Sequence, residues 1–206
     1  MKKLPVVLAL ATALGASTAC AVDEELIFKE DFSDSLDAGW SWLRETPEDW
    51  RLVDGALTLR ARPGAADTVR NALVRDVPEP GKDGLAFEIT IAFTAPLTEQ
   101  YEQAGLTWYA DGKPVFKIVH ERIDGEYFII PGRIPTDKRT VRLRLVVKDT
   151  KYTALFRQEG EEAYRIAAEG DLAIGKENQI SIQCYHGPEE GDHWMRFSDF
   201  RILKID

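Results

Sequence analysis

Residues 85–93 read Leu-Ala-Phe-Glu-Ile-Thr-Ile-Ala-Phe, and this stretch decides the fold class. Every odd-numbered position carries a large apolar side chain, and every even-numbered position carries a small or polar one. Because successive side chains of a β-strand point to opposite faces, this alternation predicts a strand with one buried face. Residues 141–147, Val-Arg-Leu-Arg-Leu-Val-Val, repeat the pattern with two arginines on the other face.

The same alternation recurs along the rest of the chain and predicts about a dozen further short strands. We place them near residues 26–32, 40–44, 50–53, 56–62, 72–77, 103–109, 115–121, 126–130, 152–157, 164–169, 179–185 and 194–204. Turn dipeptides such as Asp111-Gly112 and Asp124-Gly125 separate them, and no helical apolar stripe follows residue 21. This spacing predicts an all-β fold, with two antiparallel sheets packed as a sandwich or jelly roll.

Composition excludes several classes of protein. The chain has 206 residues, of which 44% are hydrophobic and 30% charged, so it can bury a core and is not intrinsically disordered. The net charge of −9 argues against nucleic-acid binding, which needs clustered Lys and Arg. Two cysteines cannot build a disulfide-rich mini-domain. We expect residues 22–206 to form a single domain.

The first 21 residues have the pattern of a signal peptide. Two lysines precede a short apolar segment, Leu4–Gly15, which is about half as long as a membrane-spanning helix. Ala19-Cys20-Ala21 is typical of a cleavage site, and cleavage after Ala21 is one interpretation. The other is a lipid anchor on Cys20, although Ser17 stands where lipoprotein signals usually carry Leu. Both predict export to the periplasm or the extracellular space.

Cys184 lies on the apolar side of the predicted strand 179–185. The alternation therefore predicts a buried structural thiol and not a nucleophile.

Three stretches together resemble a known family. They are Gly39–Trp50 followed by Asp54–Leu59, then Asn71–Arg75, then Tyr101–Tyr109 with Phe116, Lys117 and Glu121. Their order and spacing resemble the concanavalin A-like jelly-roll domain at the C-terminus of family-43 β-xylosidases, which stand-alone bacterial proteins of uncharacterised function share. The resemblance covers residues 30–204.

The resemblance implies two curved antiparallel sheets with one concave face. It also implies a role in binding carbohydrate or in supporting a catalytic partner, and it does not imply catalysis. Residues 158–164 and 130–139 depart from the family pattern, so no contacts are carried over to those loops.

The polar face predicted by alternation is our candidate carbohydrate-binding surface. It combines aromatic rings that can stack on sugars with side chains that can bond to hydroxyls or carboxylates. The candidate ligand-binding residues are Trp42, Arg44, Asn71, Gln103, Tyr109, Lys117, Glu121, Arg144 and Tyr185. The arginines suggest an acidic oligo- or polysaccharide. A solvated face with Arg–Glu pairs and a protein-docking face remain open.

No motif in the sequence identifies an enzyme. The Glu-x-Asp-x-x-Glu string of laminarinase-type jelly rolls, the Gly-x-Ser-x-Gly elbow and the nucleotide-binding glycine motifs are all missing. Glu121 beside Lys117 is more simply explained as an ion pair. An alternative is a glycoside hydrolase or lyase-like enzyme whose carboxylates come from separate strands.

Two segments raise the question of a metal. Jelly-roll relatives often hold a structural calcium where the first and last strands meet, and Glu30 and Asp199 occupy analogous positions. Residues 186–193 contain two histidines and three acids, but their spacing matches no zinc pattern and predicts a charged hairpin loop. No cofactor is required by the fold.

Overall fold

The computed structural model describes residues 23–206 except Glu79. The predicted signal peptide (residues 1–21) and the predicted lipid anchor at Cys20 lie outside the described residues. No helix among the described residues has the length and apolar character that crossing a bilayer requires.

The described residues form fifteen strands and one 3-10 turn, Pro47–Asp49. The strands are β1 Glu24–Glu30, β2 Trp40–Leu43, β3 Trp50–Leu52, β4 Leu57–Arg60, β5 Ala72–Val77, β6 Gly84–Phe93, β7 Gln103–Ala110, β8 Lys113–Ile123, β9 Glu126–Ile130, β10 Ile134–Thr136, β11 Thr140–Lys148, β12 Lys151–Gln158, β13 Arg165–Asp171, β14 Asn178–Tyr185 and β15 Trp194–Ile205.

The strands form two antiparallel sheets. The first sheet has the order β13-β12-β11-β6-β15-β4-β3, and β1 also pairs with β15. The second sheet has the order β10-β9-β8-β7-β14-β5-β2. The all-β sandwich of two antiparallel sheets is therefore confirmed.

The two sheets pack through the apolar faces that the alternation predicted. Phe87, Ile89 and Ile91 of β6 are fully buried, and their neighbours on β11 bury their apolar side chains beside them. Across the sandwich, Trp108 of β7 meets Phe87 edge to face, with ring centroids 5.7 Å apart. The predicted burial of Cys184 is also confirmed, and burial raises the pKa of its thiol.

Two-residue turns hold β7, β8 and β9 in register. Asp111-Gly112 joins β7 to β8, and Asp124-Gly125 joins β8 to β9. All four residues have positive φ, which is the conformation that matches the twist of a tight hairpin. These turns confirm the two hairpins and place β8 beside the centre of the second sheet.

Three of the differences between the structure and the predicted strands bear on the site or on the sheet edge. β1 ends at Glu30, because Phe32 adopts φ +55° and is buried outside the strand. β2 ends at Leu43, because Arg44 adopts φ +54°. Ile134–Thr136 is a short edge strand that we did not predict, and its central Pro135 is tolerated because the strand is at the edge.

β8 also places one ionisable side chain inside the core. His120 lies opposite Ala104 and Ile129 and is fully buried. Its ring stacks on Phe93 at 4.3 Å and meets Tyr127 at 5.5 Å between centroids. Neither ring nitrogen has a hydrogen-bond partner in the protein. Burial therefore lowers the pKa of His120 to about 3, and the imidazole is neutral in the folded state at neutral pH.

We expect acid to destabilise the fold through His120. An unfolded histidine has a pKa of about 6.5, whereas folded His120 has a pKa of about 3. As the pH falls from 6.5 towards 3, the unfolded state therefore binds a proton that the folded state does not, and stability is lost.

At pH 5 the loss is about 2 kcal/mol of unfolding free energy relative to pH 8. Urea unfolding at both pH values, with His120→Leu compared to the native chain, measures it: the variant's loss should be smaller by that amount. Equal losses would contradict this assignment.

Candidate functional site

The outer face of the second sheet, the side turned away from the core, carries most of the predicted ligand-binding residues. Cross-strand register aligns Gln103 with Glu121 and with Tyr185, and aligns Thr107 with Lys117. Six of the nine predicted residues lie on this face: Arg44, Gln103, Tyr109, Lys117, Glu121 and Tyr185.

Lys117 is the centre of this group. Its Nζ donates to Gln103 Oε1 at 2.6 Å and to Glu121 Oε2 at 3.0 Å. The ammonium also lies 5.9 Å from the centroid of the Tyr185 ring. The Lys117 side chain is 31% exposed whereas that of Glu121 is 7% exposed, so the predicted ion pair is confirmed and opens to solvent on the lysine side.

Two aromatic rings missed at the sequence level complete the group. The ring of His186 lies 5.2 Å from that of Tyr185 and 6.4 Å from that of Tyr101. Tyr101 is 49% exposed, and its carbonyl oxygen accepts a 2.7 Å hydrogen bond from Gln103 Nε2. An aromatic residue in the polar stretch 98–103 was the available signal for Tyr101. We call this group the Lys117 cluster: Tyr101, Gln103, Lys117, Glu121, Tyr185 and His186.

The Lys117 cluster carries no net charge at neutral pH. Burial, and the nearby Glu121 charge, raise the pKa of Tyr185. Burial, helped by the Lys117 charge, lowers the pKa of His186. Both rings are therefore neutral at neutral pH, and the formal charges that remain are those of Lys117 and Glu121, which cancel.

A loop covers part of the same face. Residues 61–71 connect β4 to β5 and pass over Tyr109, whose Oη lies 2.8 Å from the Ala66 carbonyl oxygen. Arg44 Nε donates to the Val69 carbonyl oxygen at 2.6 Å and so holds the loop from the other side. Tyr109 is 2% exposed, so its ring is covered by protein and not open to a stacking sugar.

Asn71, at the end of this loop, uses its side chain for the backbone. Its Nδ2 donates to the Thr46 carbonyl oxygen at 3.1 Å, and its Oδ1 accepts from the Thr46 N–H at 2.6 Å. Asn71 is 1% exposed and has φ +54°. Its amide therefore fixes the backbone ahead of the 3-10 turn.

The prediction that Trp42 shares a face with Arg44 is wrong. Trp42 pairs with Leu73 and packs against the core, with its ring 4.9 Å from that of Trp50. The alternation fails here because the strand ends at Leu43, and the positive φ of Arg44 turns the chain.

The prediction that Arg144 joins this face is also wrong, because β11 belongs to the first sheet. Arg144 Nη1 donates to Glu88 Oε1 at 2.7 Å, and Nη2 donates to Glu24 Oε1 at 2.6 Å. Arg142 Nη2 donates to Glu88 Oε2 at 2.8 Å, and Nη1 donates to Asp199 Oδ2 at 2.7 Å. These residues form an ion-pair network on the outer face of the first sheet.

Glu88 is the shared acceptor of that network. Burial by itself raises the pKa of its carboxyl group, but the hydrogen bonds and charges of Arg142 and Arg144 outweigh burial and lower it. Tyr164 covers the network, with its Oη 3.1 Å from Glu88 Oε1. Burial and the Glu88 charge raise the pKa of Tyr164 to about 12.

Glu30 and Asp199, the predicted calcium ligands, are not brought together. Glu30 Oε1 accepts from the Phe32 N–H, and Oε2 accepts from the Asp37 N–H and from the indole of Trp40. Asp199 instead meets the guanidinium groups of Arg142 and Arg201, on the outer face of the first sheet. A calcium ion shared by both carboxylates therefore does not fit this arrangement. Calcium binding elsewhere in the protein stays a prediction.

The histidines of residues 186–193 also point to different neighbours. His186 packs in the Lys117 cluster, whereas His193 Nδ1 lies 2.7 Å from Glu102 Oε1. Within the described part of the chain, no group of three or more His, Cys, Asp or Glu side chains is placed to hold a metal ion.

Comparison with known proteins agrees with this architecture. A family model described as "Beta xylosidase C-terminal Concanavalin A-like domain" matches residues 29–187. A family-43 protein of Bacillus licheniformis, BlXynB, is similar in structure, with a TM-score of 0.66 and 18% sequence identity. The match covers 85% of this chain and 39% of the BlXynB chain. A xylan β-1,4-xylosidase of Bacillus halodurans has a TM-score of 0.63 and 17% identity over 84% of this chain and 38% of its own.

A third similar structure is the CBM2 module of the evolved Dit protein of Lactobacillus casei BL23 phage J-1. It has a TM-score of 0.61 and 8% identity, covering 89% of this chain and 97% of its own. No curated protein matches the chain. The chain thus spans less than half the length of the two Bacillus proteins and nearly the whole length of the phage module.

The ion-pair network of the first sheet predicts a large cost for removing Glu88. Glu88→Gln leaves Arg142 and Arg144 without their shared buried partner, and we expect a loss of about 3 kcal/mol in unfolding free energy. Urea unfolding of the variant measures this loss.

Glu24→Gln is the matched control. It removes the charge of the other carboxylate that pairs with Arg144, and the Glu24 side chain is 37% exposed. We expect it to cost less than about 1 kcal/mol. Similar losses in the two variants would mean that Glu88 does not hold the network together.

Proposed function

Since the chain belongs to the family of β-xylosidase C-terminal concanavalin A-like domains, we propose that it is a non-catalytic module that binds a neutral oligo- or polysaccharide. The proposed binding surface is the Lys117 cluster on the outer face of the second sheet.

The arrangement around Lys117 is the observation that carries this proposal. Its ammonium is held by Gln103 and Glu121 at hydrogen-bond distances, yet the side chain stays 31% exposed. Sugar hydroxyls both donate and accept, so a surface that recognises them needs donors and acceptors in fixed positions. Lys117 supplies the exposed donor, the buried side chains of Gln103 and Glu121 fix its position, and the exposed ring of Tyr101 supplies an apolar platform.

The balance of charge supports a neutral ligand. The acidic-glycan hypothesis rested on arginines, but Arg142 and Arg144 lie on the first sheet and bind Glu88 there. Arg44 donates to the backbone at Val69. Lys117, the cation of the cluster, is already paired with Glu121.

The single carboxylate of the cluster supports a non-catalytic role. Glycoside hydrolysis uses two carboxyl groups about 5–9 Å apart on either side of the scissile bond. In the Lys117 cluster the one carboxylate, Glu121, is paired with Lys117. Binding is therefore the activity that these residues support best.

A second candidate is association with a separate catalytic domain. It is favoured by the length comparison, since the chain covers only 39% and 38% of the two Bacillus proteins. Under this proposal the chain serves as the accessory domain of a glycosidase. Co-elution with a purified glycosidase catalytic domain in size-exclusion chromatography, without glycan affinity, would favour it over carbohydrate binding.

We also propose that the protein is exported. The pattern of residues 1–21 favours a location in the periplasm or outside the cell, where the protein could contact polysaccharides. Mass spectrometry of the N-terminus of the processed protein distinguishes cleavage after Ala21 from lipidation at Cys20.

A polysaccharide panel read by thermal shift tests the proposal. A ligand at a hundredfold excess over its Kd adds about 2.7 kcal/mol to the unfolding free energy, which raises Tm by roughly 5–10 °C in a domain of this size. We expect Lys117→Met to abolish the shift, because the variant loses the central donor of the cluster. Lys151→Met is the matched control on the first sheet, where the lysine is 68% exposed, and it should keep the full shift. Binding that survives Lys117→Met would refute this site.

The same panel separates binding from turnover and neutral from acidic ligands. We expect no release of reducing ends, and no preference for uronate-bearing polymers over neutral ones. Release that Glu121→Gln abolishes would make the protein an enzyme. A strong uronate preference would overturn the neutral-ligand assignment.

A further inference from the structure

A pocket of about 420 Å³ adjoins the Lys117 cluster beside the start of β8 and the end of β9. Lys117 contributes to both, so a ligand on the cluster would reach the pocket directly. The other walls come from β7, β8, the end of β9, β12 of the first sheet and the loop 61–71. Its volume lies in the range of small-ligand sites.

A β-bulge in β8 shapes the rim of this pocket. Trp108 pairs with Phe116 and Tyr109 pairs with Pro114, so Val115 is the extra residue between them. Val115 is 42% exposed at the rim. Bulges of this kind redirect side chains and are common beside functional sites.

The lining of the pocket includes a residue with an unpaired hydroxyl group. Thr107 lines the pocket and is 1% exposed, and its Oγ1 has no hydrogen-bond partner in the protein. On the neighbouring strand of the same face, Gln183 Nε2 is buried and unpartnered as well. A buried polar group without a partner destabilises the protein, and a ligand that bonds to Thr107 would recover part of that cost.

The rest of the lining is mostly apolar. Phe116 and Tyr152, with ring centroids 4.1 Å apart, form one wall, and Val115 and Ala66 lie beside them. Lys117 also lines the pocket, and its ammonium is bound by Gln103 and Glu121. The pocket therefore offers the buried, unpaired hydroxyl of Thr107 in mostly apolar surroundings.

A bare sugar ring fits this chemistry poorly, because burying it here would leave several of its hydroxyl groups unpaired. An acyl ester fits better. Its methyl or longer chain is apolar, and its carbonyl oxygen accepts one hydrogen bond, which the Thr107 hydroxyl can donate.

We propose that this pocket, the Thr107 pocket, binds the acyl substituent of a glycan whose sugar rings lie on the Lys117 cluster, with the O-acetyl ester as the smallest such group. The inference rests on the proposed function and specifies its ligand: a neutral, acylated polysaccharide.

The test compares O-acetylated xylan with the same preparation after alkaline deacetylation, using isothermal titration with the full processed protein. One buried hydrogen bond is worth about 1 kcal/mol, so we expect the acetylated form to bind about fivefold more tightly. Thr107→Val keeps the shape of the side chain and removes the hydroxyl. It should abolish the preference and keep the binding of deacetylated xylan, with Tm unchanged or higher because the unpaired hydroxyl is gone.

Thr58→Val is the matched control, a threonine that is 5% exposed on the first sheet, and it should keep the preference. Equal binding of both xylans by the native protein would overturn the acyl-group inference and leave the proposed function standing. A preference that survives in Thr107→Val would overturn the assignment to this pocket. Failure of the native protein to bind either xylan, or any polymer of the panel, would count against the proposed function itself.

Discussion

The structure depends on the burial of one face of each sheet against the other. Phe87, Ile89 and Ile91 of β6 are the centre of this contact, and Trp108 of the second sheet meets Phe87. Because side chains alternate along a strand, burying these residues forces their neighbours to the outer faces. The polar groups of the two outer faces lie where they do because of that constraint: Glu88 and Arg142 outside the first sheet, and Gln103, Thr107 and Lys117 outside the second.

The two outer faces satisfy their polar groups in different ways. On the first sheet the buried charges are matched, with Glu88 shared between Arg142 and Arg144. On the second sheet the groups are mostly uncharged, and the loop 61–71 shields part of them from solvent. The matched network supports stability. The second face retains the unpaired hydroxyl of Thr107 and the exposed side of Lys117, and it is the face to which we assign the proposed binding.

Alternation in the sequence was sufficient to predict the all-β sandwich and the buried side of most strands, since period two is a local property of the backbone. It placed Gln103, Lys117 and Glu121 on one face correctly. It could not tell which of the two sheets a strand joins, and Arg144 therefore had the right side and the wrong sheet. It also failed at Trp42, because the positive φ of Arg44 ends the strand and is not visible in a pattern of polarity. The cover provided by residues 61–71 depends on contacts between distant residues, such as Tyr109 with Ala66, and no local pattern encodes it.

The loop 61–71 has a consequence for how the molecule opens. All eight residues of β7 and nearly all of β14 are buried, since the core covers one face and the loop or neighbouring side chains cover the other. These two strands form the best-protected part of the second sheet, whereas β10 and β2 are its edges. Amide hydrogens in β7 and β14 therefore exchange only in large openings of the structure, and those at the edges exchange in small ones. A ligand bound beside Lys117, as proposed, would therefore lie next to the part of the second sheet that opens least.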